Sequence, residues 1–155
     1  EQVGPYNEIM ENPINSFVAG FLGLPPMNLL PGWHVTGEGQ LQGEMGTVPV
    51  PQRLATRVRP DQEVILGFRS DGATIVLADE PTPTGQLIIP GQVLNSEPHF
   101  AQHVQVVNIQ AGQCIFGVQA PIDMRLNSGW RVNVAVPEQT VYLFDKETDL
   151  RIQPE

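Results

Sequence analysis

Glycine and proline recur so evenly along this chain, fifteen of each in 155 residues, that little room is left for long regular elements. Proline has no amide hydrogen to give a central ladder or a helix interior, and glycine marks tight turns. The punctuation is too regular for a low-complexity tail and matches short strands joined by tight turns. Apolar and β-branched runs fall between these breaks. Trp33 to Gln42 alternates loosely, Gly43 to Gly46 is a turn, and Thr47 to Pro51 is an edge strand carrying Pro49 and Pro51. Val64 to Arg69, Ala73 to Leu77, Leu87 to Leu94, His103 to Asn108, Gln113 to Gln119, Arg131 to Val136 and Val141 to Phe144 are further strands. So many short strands at this spacing predict a mainly β chain closed into one barrel or two interleaved small ones.

One stretch departs from this pattern. In PINSFVAGFLG, Ile14, Phe17, Val18, Phe21 and Leu22 recur at three- and four-residue steps, opposite Asn15, Ser16, Ala19 and Gly20. That is a helix with one apolar face. Gly23 supplies a left-handed stop, and Pro25-Pro26 forbid continuation. A shorter helix is expected over Gly4 to Asn12, with Glu8 near its first turn and Pro13 closing it. The chain thus divides into a helical junction, residues 1–32, and a β domain, residues 33–155.

The order of residues in the junction is more specific than its periodicity. Gly4, Glu8, Pro13, Asn15, Phe17, Val18, Ala19, Phe21, Gly23, Pro25, Pro26, Met27, Asn28, Leu30, Pro31 and Gly32 fall as GxxxExxxxPxNxFVAxFxGxPPMNxLPG. This resembles the segment that follows the nucleotide-binding domain in MalK-like ATP-binding subunits of carbohydrate-importing ABC transporters. Two later motifs fit more loosely. Gly67-Phe68-Arg69-Ser70-Asp71 stands where that family reads G-[IL]-R-P-[ED], with Ser70 in place of proline. Near the end, Gly129, Val132, Leu143, Phe144, Asp145 and Thr148 match a closing pattern containing LFD..TG, with Asp149 in place of its glycine.

The resemblance implies a C-terminal regulatory domain of OB-like (TOBE, or MOP-like) fold, part of a longer subunit. Its motif residues Phe17, Phe21, Pro25, Pro26, Asn28, Gly67, Arg69, Asp71, Phe144 and Asp145 would then be structural or regulatory. The implied partners are a second copy in a homodimer, the parent's nucleotide-binding domain, its transmembrane permease subunits and a regulatory protein. The implied location is the cytoplasm, peripheral to the inner face of the cell membrane.

The sequence contains no glycine-rich loop ending GK[ST] and no LSGG signature of the kind an ABC ATPase requires. The chain is accordingly expected to be non-catalytic and to hold no cofactor, ATP and magnesium belonging to the parent's nucleotide-binding domain. Seventeen acidic against eight basic residues give a net charge of −9, which argues against the basic groove that nucleic acid requires. No apolar run approaches the roughly 18–20 residues that span a bilayer, so direct membrane insertion is not expected.

His99 and His103 have i, i+4 spacing, but Pro98 precedes them in a β-like run, so no metal site is expected. Cys114, the sole cysteine, sits in an apolar strand as packing. Arg53, Arg57 and Arg59 form the one basic cluster, with Asp61 and Glu63 beside it. A solvated loop is its ordinary reading. The alternative function, a stand-alone small-ligand or oxyanion-binding module, would use those three arginines together with Arg69.

Overall fold

The computed structural model describes residues 27–154. Ten strands follow in order: β1 (Met27–Val35), β2 (Gln40–Gly43), β3 (Gly46–Pro49), β4 (Glu63–Arg69), β5 (Thr74–Leu77), β6 (Gln86–His99), β7 (Val104–Ala111), β8 (Cys114–Pro121), β9 (Arg131–Pro137) and β10 (Tyr142–Asp145). They form two antiparallel sheets, β10-β4-β1-β2-β3 and β5-β9-β6-β7-β8. The mainly β architecture expected from the punctuation is the one observed, and β3 is an edge strand, where Pro49 is tolerated. The two helices expected before residue 26, with Phe17, Phe21, Pro25 and Pro26, lie outside the described residues.

Two strands explain how prolines enter paired structure. β1 begins at Met27, six residues before the alternation becomes readable at Trp33, because its ladder to β4 is interrupted by a bulge between Leu30 and Trp33. Pro31 cannot donate there, and Gly32 takes φ +92. A proline-glycine pair that reads as a loop is therefore a kink within a strand. β6 changes partners along its length, pairing β9 over Gln86 to Gln92 and β7 over Gln92 to His99. Pro90 and Pro98 each fall in a half with a single partner, where a missing donor is tolerated.

The second sheet curls so that its outer strand β8 comes back against β5 and the turn at Ser70–Gly72, the closure expected of a small barrel. The chain then returns to the first sheet through β10, which pairs β4. One continuous core joins both sheets, running from Leu30 and Trp33 through Leu66, Phe68, Ile89, Ile109 and Val134 to Leu143 and Ile152. Phe68 and Phe116 meet edge to face across it, with ring centroids 5.5 Å apart. On the opposite face of the first sheet Met27 and Phe144 form a second, smaller cluster with Leu29, Ile65 and Tyr142.

Candidate functional site

The motif residues converge on β4 and its two neighbours. Val64, Leu66 and Phe68 of β4 point into the main core, which leaves Ile65 and Gly67 on the outer face. Gly67 stands opposite Leu29 of β1 and Tyr142 of β10. A Cβ there would lie 2.8 Å from the Met27 sulfur and 3.1 Å from a ring carbon of Phe144, so glycine is required by space rather than by backbone angle. Asn28 sits one position along, opposite Phe68. Its Nδ2 donates to the carbonyl of Gly117 at 2.8 Å, and the Gly117 amide donates back to its Oδ1 at 3.3 Å. A single side chain of the first sheet thus mimics a strand partner for the outer strand of the second.

Arg69 is half-buried at the end of β4, and Asp71 is exposed in the turn that follows. Ser70, where the resembled motif has proline, is buried. Arg69 before it has φ −80 and ψ 148, the extended geometry a residue adopts ahead of proline.

Asp145 ends β10 and organises the closing turn. Its Oδ1 accepts from the amides of Glu147 (2.8 Å) and Thr148 (2.9 Å), and its Oδ2 accepts from Gln62 Nε2 (2.6 Å). The Thr148 amide, followed by the Gln62 side chain, holds the carboxyl below the usual carboxylate range. Asp149 adopts φ +62, which accounts for glycine at this place in the resembled pattern. Gln62 is a contributor that the sequence did not single out. It is buried between charged neighbours, accepts from the Arg59 amide at 3.1 Å, and pins the loop before β4 to Asp145. A glutamine in a charged loop carries no pattern that would have marked it.

The three arginines do not gather around one ligand position. Arg53 donates to the carbonyls of Glu138 and Val141, and the Gln52 amide donates to the Glu138 carboxylate. This guanidinium ties the loop after β3 to the approach of β10. Arg57 is exposed. Arg59 lines a hollow of about 380 Å³ with Asp61, Glu63, Asp145 and Glu147, four carboxylates to one guanidinium, a poor setting for an anion.

The remaining candidate side chains are also placed. His99 ends β6 and His103 follows a short turn at φ +57, so no helix aligns the two. Cys114 is half-buried, and burial foremost, then the nearby Glu44 charge, pushes its thiol up and away from nucleophilic character. No helix among the described residues is long and apolar enough to cross a membrane.

No family model matches the chain. Among curated proteins it is 32% identical over 152 residues to the sn-glycerol-3-phosphate import ATP-binding protein UgpC of Jannaschia sp., covering 98% of this chain and 39% of the relative. It is 28% identical over 152 residues to the trehalose/maltose import ATP-binding protein MalK of Thermococcus litoralis, covering 96% and 40%. For a UgpC of Rhizobium johnstonii the figures are 27% over 152 residues, 96% and 38%. The chain therefore spans about two fifths of the curated relatives it matches. Among solved structures, the cytoplasmic molybdate-binding protein ModG with molybdate bound superposes with a TM-score of 0.56 at 14% identity, over 75% of this chain and 94% of its own. That likeness fixes the fold as an OB-fold of MOP type. Over nearly its whole length, the chain is similar to the C-terminal part of MalK/UgpC-type ABC ATP-binding proteins.

Proposed function

We propose that the chain is the non-catalytic regulatory and dimerisation domain of the ATP-binding subunit of an ABC importer, for a sugar or a related small solute. The supporting observation is the pattern of coverage: 96–98% of this chain matches only 38–40% of import ATP-binding proteins, and the sequence contains none of the phosphate-loop chemistry such proteins need. In this role the domain works with a nucleotide-binding domain that holds ATP and magnesium, with permease subunits at the inner face of the membrane, and with a regulatory protein. A contact between two such domains that persists through the ATP cycle keeps the ATPase halves at high effective concentration, so each closure need not be a fresh encounter. Light scattering over a concentration series tests this. Self-association that grows with concentration is expected, and a strict monomer at every concentration would count against the dimerisation role.

A second reading, an oxyanion-binding module, draws on the MOP-type fold shared with ModG. The engagement of Arg53 with backbone carbonyls and the acidic lining of the hollow at Arg59 weigh against it. Calorimetry against molybdate, sulfate and phosphate separates the two readings. Saturable heat with one of these anions would move the second reading to first place.

A further inference from the structure

The outer face of the second sheet carries a polar row that none of the motifs explains. Arg131 of β9 stands opposite Gln92 of β6, which stands opposite Gln110 of β7. All three are exposed, while Val132, Val93 and Ala111 beside them are buried. Strand alternation therefore sends the three polar side chains to the same outer face. Asn133, two residues beyond Arg131, joins them opposite Pro90. Together with Glu44 of the β2–β3 turn they line a hollow of about 580 Å³, within the roughly 300–1,000 Å³ usual for small-molecule sites.

A second hollow of about 550 Å³ adjoins it, sharing Ala78 and Arg131 and lined by Trp130. Trp130 is 38% exposed, whereas Trp33 is 1% exposed. The backbone under the exposed indole is fixed: its amide donates to Asn127 O at 3.1 Å and its carbonyl accepts from Val93 at 2.9 Å. The amides of the row are also held. Gln92 Nε2 donates to Gly129 O at 3.1 Å and Gln110 Nε2 to Gly112 O at 3.4 Å. Each keeps a carbonyl oxygen and a second N–H for a ligand.

We propose that this double hollow binds a sugar-type solute carrying one anionic group, a sugar phosphate or sugar acid. The Arg131 fork takes the anion. Gln92, Gln110 and Asn133 exchange hydrogen bonds with hydroxyl groups, Glu44 accepts from hydroxyls at the far end, and the Trp130 ring covers the apolar face of the sugar. One guanidinium, with Glu44 in one hollow and Asp79 in the other, is too little positive charge for nucleic acid. The carboxylates also disfavour a bare oxyanion, whereas a polyol supplies them with donors. The site is open, so a dissociation constant of about 0.1–1 mM is expected. The proposal concerns side chains of this chain alone and stands whether or not the importer reading holds.

The test is titration of the full chain with glucose 1-phosphate and with glucuronate, glucose and inorganic phosphate serving as partial ligands. Tryptophan emission is the first readout, since of the two tryptophans only Trp130 is exposed, and calorimetry the second. A saturable response to a charged sugar is expected, at least tenfold weaker with glucose or phosphate alone. Arg131→Gln should weaken it at least tenfold and leave the melting temperature unchanged. Gln110→Ala serves as the second variant should Arg131→Gln fail to fold, and should weaken binding several-fold. No saturable response to either charged sugar, equal binding of inorganic phosphate, or undiminished binding by the folded variant would overturn the proposal.

Discussion

The side-chain amide of Asn28 closes a two-hydrogen-bond ring with the backbone of Gly117, 89 positions away, donating to its carbonyl at 2.8 Å and accepting from its amide at 3.3 Å. Gly117 lies on β8, the outer strand of its sheet, so both of these backbone groups would otherwise face an unpaired edge. Truncation leaves a donor and an acceptor half-buried without partners. Asn28→Ala is therefore expected to lower unfolding free energy by about 1–3 kcal/mol. Asn28→Asp should cost more, because a carboxylate cannot donate to the Gly117 carbonyl. Urea denaturation of both variants checks the order, and Asn28→Asp at least as stable as Asn28→Ala would refute this account of the ring.

Asn28 also marks where the sequence was legible and where it was not. Its place in the PPMN motif singled it out, and the strand pattern placed β4 through β10 nearly where they lie, except that it ended at Leu94 a strand, β6, that runs on to His99. Neither could show that Asn28 is already inside a strand, because Pro31-Gly32 reads as a stop when bulge and loop share the same residues. The partner Gly117 was equally hidden, since strand pairing between sheets leaves no local signature. Arg53 shows the same limit from the other side: its neighbours suggested a solvated basic loop, while its partners are carbonyls 85 and 88 positions away.

Gly67 is enclosed by Met27 and Phe144 at distances no Cβ tolerates without movement. The methionine thioether can give way, but the Phe144 ring is wholly buried. Gly67→Ala is expected to cost about 1–3 kcal/mol by overpacking, and Gly67→Val more. Thermal melts of the pair provide the check, and an unchanged melting temperature for the valine variant would show that the outer face repacks freely.

Ser70 buries a hydroxyl with no hydrogen-bond partner among the described residues, and the residue before it already has the backbone geometry proline demands. Ser70→Ala should be neutral or stabilising, because it removes a buried, unpaired polar group. Ser70→Pro should stabilise by about 0.4–1 kcal/mol through the unfolded chain. A loss of stability in the proline variant would mean that the Ser70 amide is needed as a donor.

Asp149 holds φ +62 in the closing turn, where its amide donates to Asp145 O at 2.8 Å. The left-handed backbone penalises any Cβ, and aspartate less than alanine. Asp149→Gly should therefore be more stable than Asp149→Ala by about 1 kcal/mol. Comparing the two glycine and alanine variants cancels the loss of the carboxylate itself. Equal stabilities would show that the turn relaxes out of the left-handed region.

Asp145 couples this turn to acid stability. Its carboxyl is held below the ordinary value chiefly by the Thr148 amide and then by Gln62, so the folded state binds the proton more weakly than the unfolded chain. The resulting stabilisation is complete above the unfolded value of about 3.9 and is lost as pH falls from there through the lower folded value. The wild-type chain should lose stability on acidification below about pH 4 more steeply than Asp145→Asn, whose side chain has no such proton to bind. At neutral pH the same variant should cost only about 1 kcal/mol, because the carboxylate is partly solvent-exposed and its charge is screened. Gln62→Ala removes the second-largest of the hydrogen-bonding causes and should make the acid slope shallower than that of the wild type, without abolishing it. Denaturation profiles from pH 7 to pH 2 distinguish the three chains, and identical slopes for wild type and Asp145→Asn would locate the acid sensitivity elsewhere.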